Sequence, residues 1–355
     1  MKKIICLMLS LTFAFSIFAY NIPINGENLL DLSSPRSLSG FATSTGSSID
    51  LVNPESINTN PALTAEEQRV DLNFAYTGIF STSSWNSTSY GNALQLGILI
   101  PFQWAVFTGI TNLVISPFYE MHLGNSVNLN AGLSKEITKN LNVGISVEGG
   151  YKTGELLVGS DWRLTGNLGI IYKFGDLGFL KNSKVGFSVL NLGKNYSNTY
   201  VNLYPFVYKS GDFPTIGTFK TGFSSLLLSN DNVKLGFSVD VTTPLFQNFI
   251  LDTGLQFSIK DIVYLTVSER FNYCEVMNGA KTYLPSVGLF IKFTLDVKNN
   301  DYFEDNGWSK NEMIISTAYK PLDSTLHAIS AGVDVNLGTK DDVPPVIKIF
   351  DDDDE

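Results

Sequence analysis

The sequence predicts an all-β fold, a transmembrane antiparallel β-barrel of about 14 strands. Three observations predict it: hydropathy alternates with period two along the body, the second face of that alternation is small rather than charged, and the strand candidates are even in number. The chain has 355 residues, 44% hydrophobic and 16% charged, with 25 Phe and 15 Tyr, so wholesale disorder is excluded. Its 34 acids against 24 bases give a formal charge of −10, the wrong sign for a nucleic-acid partner.

Residues 1–19 read as a secretory signal peptide. Lys2 and Lys3 precede an apolar run from Ile4 to Phe18, and the small Ala19 stands before Tyr20. That run is short for the ~20 residues a spanning helix needs. Cys6 is lost with the signal, which leaves Cys274 as the one mature cysteine and no internal disulfide to rely on.

Residues 20–68 do not alternate and are rich in Ser, Thr, Asn, Gly and Pro. They are either a leader or a segment folded inside the barrel. Fourteen strands enclose a lumen too wide for wall side chains alone to fill, since about eight already leave a filled interior.

Residues 69–338 form the barrel. Strands are expected at 69–80, 91–100, 103–112, 125–134, 140–151, 161–173, 182–192, 215–227, 231–241, 248–259, 262–271, 283–296, 310–319 and 325–338. Val127, Leu129, Ala131 and Leu133 alternate with Asn128, Asn130, Gly132 and Ser134; Leu141, Val143, Ile145 and Val147 alternate with Asn142, Gly144, Ser146 and Glu148. Gly, Ser, Thr and Asn on the second face suit an enclosed wet lumen, with the apolar face toward lipid. An even count puts both barrel ends on the periplasmic side. Outward connections such as 193–214 are long and most inward ones short, although 174–181 and 297–309 are longer than that rule favours. Ser330, Gly332, Val335 and Leu337 fit the terminal signal read by barrel-assembly machinery, without its final aromatic. Residues 339–355 form an acidic periplasmic tail, in which Asp351 to Glu355 read as a solvated end.

Within the amino-terminal segment lie Ser34-Pro35-Arg36-Ser37-Leu38-Ser39-Gly40-Phe41-Ala42 and, later, Asn60-Pro61-Ala62-Leu63. Here the chain resembles the FadL-type outer-membrane long-chain fatty acid transporter superfamily, especially a spirochaetal branch of it. The resemblance implies that Arg36, Leu38, Gly40, Asn60, Pro61 and Ala62 belong to an amino-terminal hatch plugging a 14-stranded barrel. It also implies passive uptake of long-chain fatty acids or similar hydrophobic molecules across the outer membrane. The Asn53-Pro54 pair looks like a duplicate of Asn60-Pro61 or an insertion. A scaffold or secretion-accessory barrel and a general porin are the alternative functions.

Candidate ligand contacts follow from chemistry. Tyr196, Tyr200, Tyr204, Phe206, Tyr208 and Phe213 offer apolar area on the longest outward connection, either for a greasy ligand or as an interfacial girdle. A carboxylate head would need a base, for which Lys152, Arg163, Lys209 and Arg270 lie toward the outer half; Glu148 is placed to pair with Arg163. His122, near Glu120, and His327 form no metal spacing, and no nucleophile elbow is present, so no enzyme activity, metal or cofactor is expected. The expected partners are a hydrophobic ligand, outer-membrane lipid and the assembly machinery, with the barrel a monomer. Ser116-Pro117, beyond strand three, is a candidate for a side exit.

Overall fold

In the computed structural model the alternating segments pair edge to edge until the last meets the first. The residues described are 32–49, 51–81, 90–115, 125–153, 157–158, 160–196, 200–203, 206–209, 217–246, 248–277, 285–297, 308–322 and 326–338. The signal segment, Glu120, His122, Ser116-Pro117, Tyr204, Phe213 and the acidic tail lie outside them. In chain order the strands are β1 (Val70–Ser81), β2 (Tyr90–Pro101), β3 (Val106–Ile115), β4 (Asn125–Thr138), β5 (Leu141–Thr153), β6 (Leu157–Val158), β7 (Asp161–Leu177), β8 (Leu180–Lys194), β9 (Tyr200–Leu203), β10 (Phe206–Lys209), β11 (Thr218–Ser229), β12 (Val233–Pro244), β13 (Ile250–Ile259), β14 (Val263–Asn272), β15 (Ser286–Asp296), β16 (Lys310–Pro321) and β17 (Leu326–Leu337).

Fourteen of these strands close an antiparallel barrel, in which β1 pairs with both β2 and β17. Closure satisfies the backbone of every wall strand without leaving an edge. The pleat places the two faces as their composition demands. On β4 and β5, Leu129, Ile145 and Val147 are 55%, 56% and 58% exposed, whereas Asn130 and Ser146 are 1% and 3% exposed. The outward face is apolar along the wall, the pattern of a barrel that faces hydrocarbon; no helix among the described residues is long and apolar enough to cross a membrane. Trp104, Phe174 and Phe179 at the end holding the chain's barrel termini, and Tyr90, Tyr151, Trp162 and Tyr273 at the other, are exposed aromatics in the positions of two interfacial belts.

The observed strands follow the expected ones, with three informative differences. β7 and β8 run on past residues 173 and 182, so the connection expected at 174–181 shrinks to a turn at Gly178-Phe179. Gly175 and Gly178 supply the positive φ of +72° and +62° that this hairpin needs. β3 starts three residues later than its expected start at 103, because Phe102 N donates to Ala105 O at 2.9 Å and closes a wider turn. The outward connection expected at 193–214 is not all loop. β9 and β10 form a hairpin that β6 joins as a three-stranded sheet, in connections opposite the barrel termini.

The described residues of the 32–69 segment pack against the inner face of the wall. They contain one short helix, α1 (Pro35–Leu38), and two 3₁₀ turns, Pro54–Asn58 and Pro61–Glu66. The small residues of the inner face therefore have a steric task where this segment packs on them. A Cβ on Gly144 would sit 2.4 Å from Pro61 C; on Gly186, 2.1 Å from Ser44 O; on Gly97, 2.7 Å from Pro54 Cβ. These three inner-face glycines are clearance for the amino-terminal segment.

Candidate functional site

The inner segment is assembled from caps. Ser34 caps α1, accepting from Ser37 N at 3.1 Å, with Pro35 at the first helical position where no N–H is required. Asn60 does the same for the second 3₁₀ turn, its Oδ1 accepting from Ala62 N at 3.0 Å. Asn53-Pro54 repeats that plan, with Asn53 extended before a proline-led turn. The pair that looked duplicated in the sequence is thus a second copy of one bend.

Each expected hatch residue touches the wall or orders its neighbours. Arg36 is buried, donates to Ser56 Oγ at 3.3 Å and lies 5.1 Å from the centre of the Phe41 ring. Leu38 packs with Leu32 against Ile79, Ala318 and Ala328 of the wall. Gly40 has φ +70°, and a Cβ there would fall 2.1 Å from Ser268 Oγ, so both conformation and space call for glycine. Asn60 Nδ2 donates to Ser44 O at 2.8 Å and to Ile170 O of β7 at 3.2 Å, while Pro61 and Ala62 press against Gly144 and Gly169. Ala62 and Leu63 also pack on Ile171.

The wall answers with polar seats that were not singled out from sequence. Asp240 accepts from Ser44 N at 2.7 Å, Gln256 from Ser48 N at 3.1 Å, and Asp334 from Asn53 Nδ2 at 3.0 Å. Ser188 Oγ donates to Thr59 O at 2.9 Å and Ser268 Oγ to Ser39 O at 2.8 Å. These residues share one signal, mid-strand polarity on the inner parity, which identifies a lumen side chain without naming its partner. At the end holding the barrel termini Glu66 holds Lys184 at 2.9 Å and Lys173 at 3.4 Å. Arg69 bridges Glu67 and Glu312 at 2.9 and 2.6 Å.

The expected ligand residues divide. Lys152 and Arg163 come together around Tyr196, their cationic groups 5.1 and 5.8 Å from its ring centre. Arg163 pairs with Glu148, as its place in the sequence suggested, and donates to Asn191 Oδ1 at 3.3 Å. Its Nε and Nη1 nevertheless stay buried without an acceptor. Tyr196 donates its hydroxyl to Asn128 Oδ1 at 2.9 Å and closes the cluster. Arg270 stands apart on β14 and is held by Asp252 of β13 at 2.6 and 3.3 Å. Tyr200 opens β9, and Phe206 and Tyr208 lie on β10, with Tyr208 in register with Val201. Wall pairing is shortest between β14 and β15, from Val263↔Ile291 to Ser268↔Ser286, whereas β13 and β14 pair from Ile250↔Asn272 to Ile259↔Val263. The described register of β14 with β15 ends at Ser268↔Ser286, the first residue of β15.

Comparison with solved structures places this arrangement. A monoaromatic hydrocarbon channel, CymD, superposes with a TM-score of 0.53 at 10% identity, over 88% of this chain and 99% of that one. The architecture is that of the FadL-type barrels. The Pseudomonas putida toluene transporter TodX gives 0.52 at 10% identity over 90% of this chain and 100% of that one. A Pseudomonas aeruginosa FadL homologue gives 0.50 at 10% identity over 90% and 99%. No family model and no curated protein matches the sequence, so the likeness lies in the FadL-type fold and not in residue identity. Among the described residues no three of His, Cys, Asp or Glu converge on a metal.

Proposed function

We propose that this chain is an outer-membrane channel for passive uptake of long-chain fatty acids or similar hydrophobic molecules, in which residues 32–69 act as an occluding hatch. The carrying observation is that segment's burial in the lumen of a barrel whose exterior is apolar. The similar structures are hydrocarbon and toluene channels and a FadL homologue, which supports a hydrophobic cargo.

Cargo would reach the outer end, where β9 and β10 carry aromatic positions and Tyr204 falls between them in the sequence. A carboxylate head would then meet Arg163, whose unpaired Nε and Nη1 offer two donors, with Lys152 beside it. Arg270 contributes less to this role, since Asp252 already occupies its fork. The β14–β15 seam is the favoured exit to the bilayer, because among the described residues parting it breaks the fewest ladder pairs, and a lateral route spares an apolar tail passage through water.

Uptake of a labelled fatty acid by liposomes containing the barrel tests the cargo, and equal uptake by empty liposomes refutes it. Deleting residues 20–62 tests the hatch: single-channel conductance in planar bilayers rises if the segment occludes. A large conductance in the intact protein would favour the porin instead, and a stoichiometric protein partner would favour the scaffold.

A further inference from the structure

Toward the periplasmic end of the lumen, Asp71 of β1 stands opposite Asn336 of β17, and Asn73 stands opposite Asp334. All four side chains face inward and are buried. The inner segment lays Asn53 over them. Asn53 Nδ2 and Asn73 Nδ2 both donate to Asp334 Oδ1, at 3.0 and 2.7 Å. Their donors are spent there and their carbonyl oxygens are left over. Asn53 Oδ1, Asn73 Oδ1, Asn336 Oδ1 and both carboxylate oxygens of Asp71 are buried with no hydrogen-bond donor. Asp71 is 0% exposed. With Asn53, Asp334 and Asn336 it lines a small cavity closed by Arg36, Leu51, Val52, Phe290 and Ile314.

Charge points the same way. Arg36 is the cation that faces Glu55, Asp334 and Asp71 together. Arg69, the next one, is already held by Glu67 and Glu312. Three carboxyl groups therefore share one guanidinium in a place with little water to screen them, an arrangement that a bound cation would balance. A lone water would give donors but no charge, and one proton would answer one oxygen of five.

We propose that Asp71, Asp334, Asn53, Asn73 and Asn336 form a site for a divalent hard cation of the calcium class, bridging the inner segment to β1 and β17. The donor set is all oxygen, mixes carboxylates with amide carbonyls and contains no sulfur or imidazole, which excludes zinc-type chemistry. Calcium accepts irregular sets of 6–8 oxygens, whereas magnesium demands a near-ideal octahedron and keeps its waters. With two carboxylates rather than three or more, the affinity falls at the weak end of the calcium range, on the order of 10⁻⁴–10⁻³ M. That composition also explains why no set of three His, Cys, Asp or Glu marks the place among the described residues. The consequence, a cation holding the hatch shut, rests on the hatch reading above; the binding site itself does not.

The test uses the full mature chain, purified in detergent and stripped with EDTA, then melted with CaCl₂, MgCl₂ or NaCl at matched ionic strength. Calcium is expected to raise the melting temperature by several degrees, half-saturating at about 10⁻⁴–10⁻³ M, with magnesium much weaker. Asp71→Asn and Asn53→Ala each reduce that response, while Asp176→Asn on the exposed periplasmic hairpin leaves it intact. No calcium response, together with a higher melting temperature for Asp71→Asn in every buffer, overturns the proposal and assigns a proton to Asp71. A calcium response equal in all variants overturns it in favour of surface binding. Calcium binding that survives while its removal leaves conductance unchanged keeps the site and removes the hatch reading alone.

Discussion

Substituting Gly144 by alanine is a minimal wedge between wall and inner segment. Gly144 lies on β5 with ordinary strand φ, so an alanine there is not strained by its own backbone. Its Cβ would stand 2.4 Å from Pro61 C, 2.5 Å from Pro61 O and 2.6 Å from Ala62 N. Normal contact is about 3.5–4.0 Å, and all three atoms are backbone, so no rotamer change relieves the clash. The Asn60–Ala62 turn must retreat by about 1 Å. That retreat strains the bonds of Asn60 to Ser44 O, Ile170 O and Ala62 N at 2.8, 3.2 and 3.0 Å. Overpacking of this kind costs ~1–3 kcal/mol, which at ~1.4 kcal/mol per decade is about 5- to 150-fold in the population of the unseated segment. Gly149, on the same strand but of the outward parity, would have nothing within 4 Å of an added Cβ and serves as the control. The assay is the frequency of open events in planar bilayers. Gly144→Ala raises it by that factor and Gly149→Ala does not. Equal behaviour of the two would refute the claim that the wall glycines hold the inner segment in place.

Glu66→Gln removes the carboxylate 2.9 Å from Lys184, which is 2% exposed, and destabilises the barrel by ~3–5 kcal/mol; urea unfolding in lipid checks this, and Glu66→Gln with Lys184→Met recovers most of the loss. Val147→Arg places a charge on the lipid face near the middle of β5 and costs ~2–4 kcal/mol in bilayers, read from the same unfolding midpoint. Glu55 has its carboxyl pushed up by burial, against the pull of Ser34, Ser37 and Arg36. A raised folded value means that its contribution is full below the ordinary carboxylate range and is lost as pH rises through the folded value. Melting temperature against pH therefore declines over that window in the native chain, and Glu55→Gln flattens the decline.

The wall was legible because its physics is local. Leu129, Asn130, Ala131 and Gly132 announce a face each by parity alone, and hairpin turns announce themselves through Asn, Asp, Gly and Lys. What was not legible is what parity leaves unspecified. Gly144 and Gly186 read as lining for a wet lumen, since nothing in a strand says that another segment will press within 2.4 Å of it. The seats of Asp240 and Gln256 have the same origin, because their partners Ser44 and Ser48 lie 196 and 208 residues away in the chain. The three strands β6, β9 and β10 were missed because none exceeds four residues, too few for alternation to register.

The inner charges show how a structural base is told from one available to a ligand. Lys184 is matched to Glu66, Arg270 to Asp252, and Lys220 to Asp240 at 3.4 Å, so each of these cations faces a carboxylate that offsets its burial. Arg163 is matched to Glu148 as well, yet charge balance leaves its geometry incomplete: a planar guanidinium has five N–H donors, and Nε and Nη1 point at no acceptor. Tyr196 covers the group with a ring face rather than an oxygen, which shields the cation without using its donors. An Arg163→Lys exchange keeps the charge and the partner but removes the fork. It should leave barrel unfolding nearly unchanged while weakening fatty-acid binding, and a loss of both together would make Arg163 a structural residue and return the search for a head-group site to Lys152.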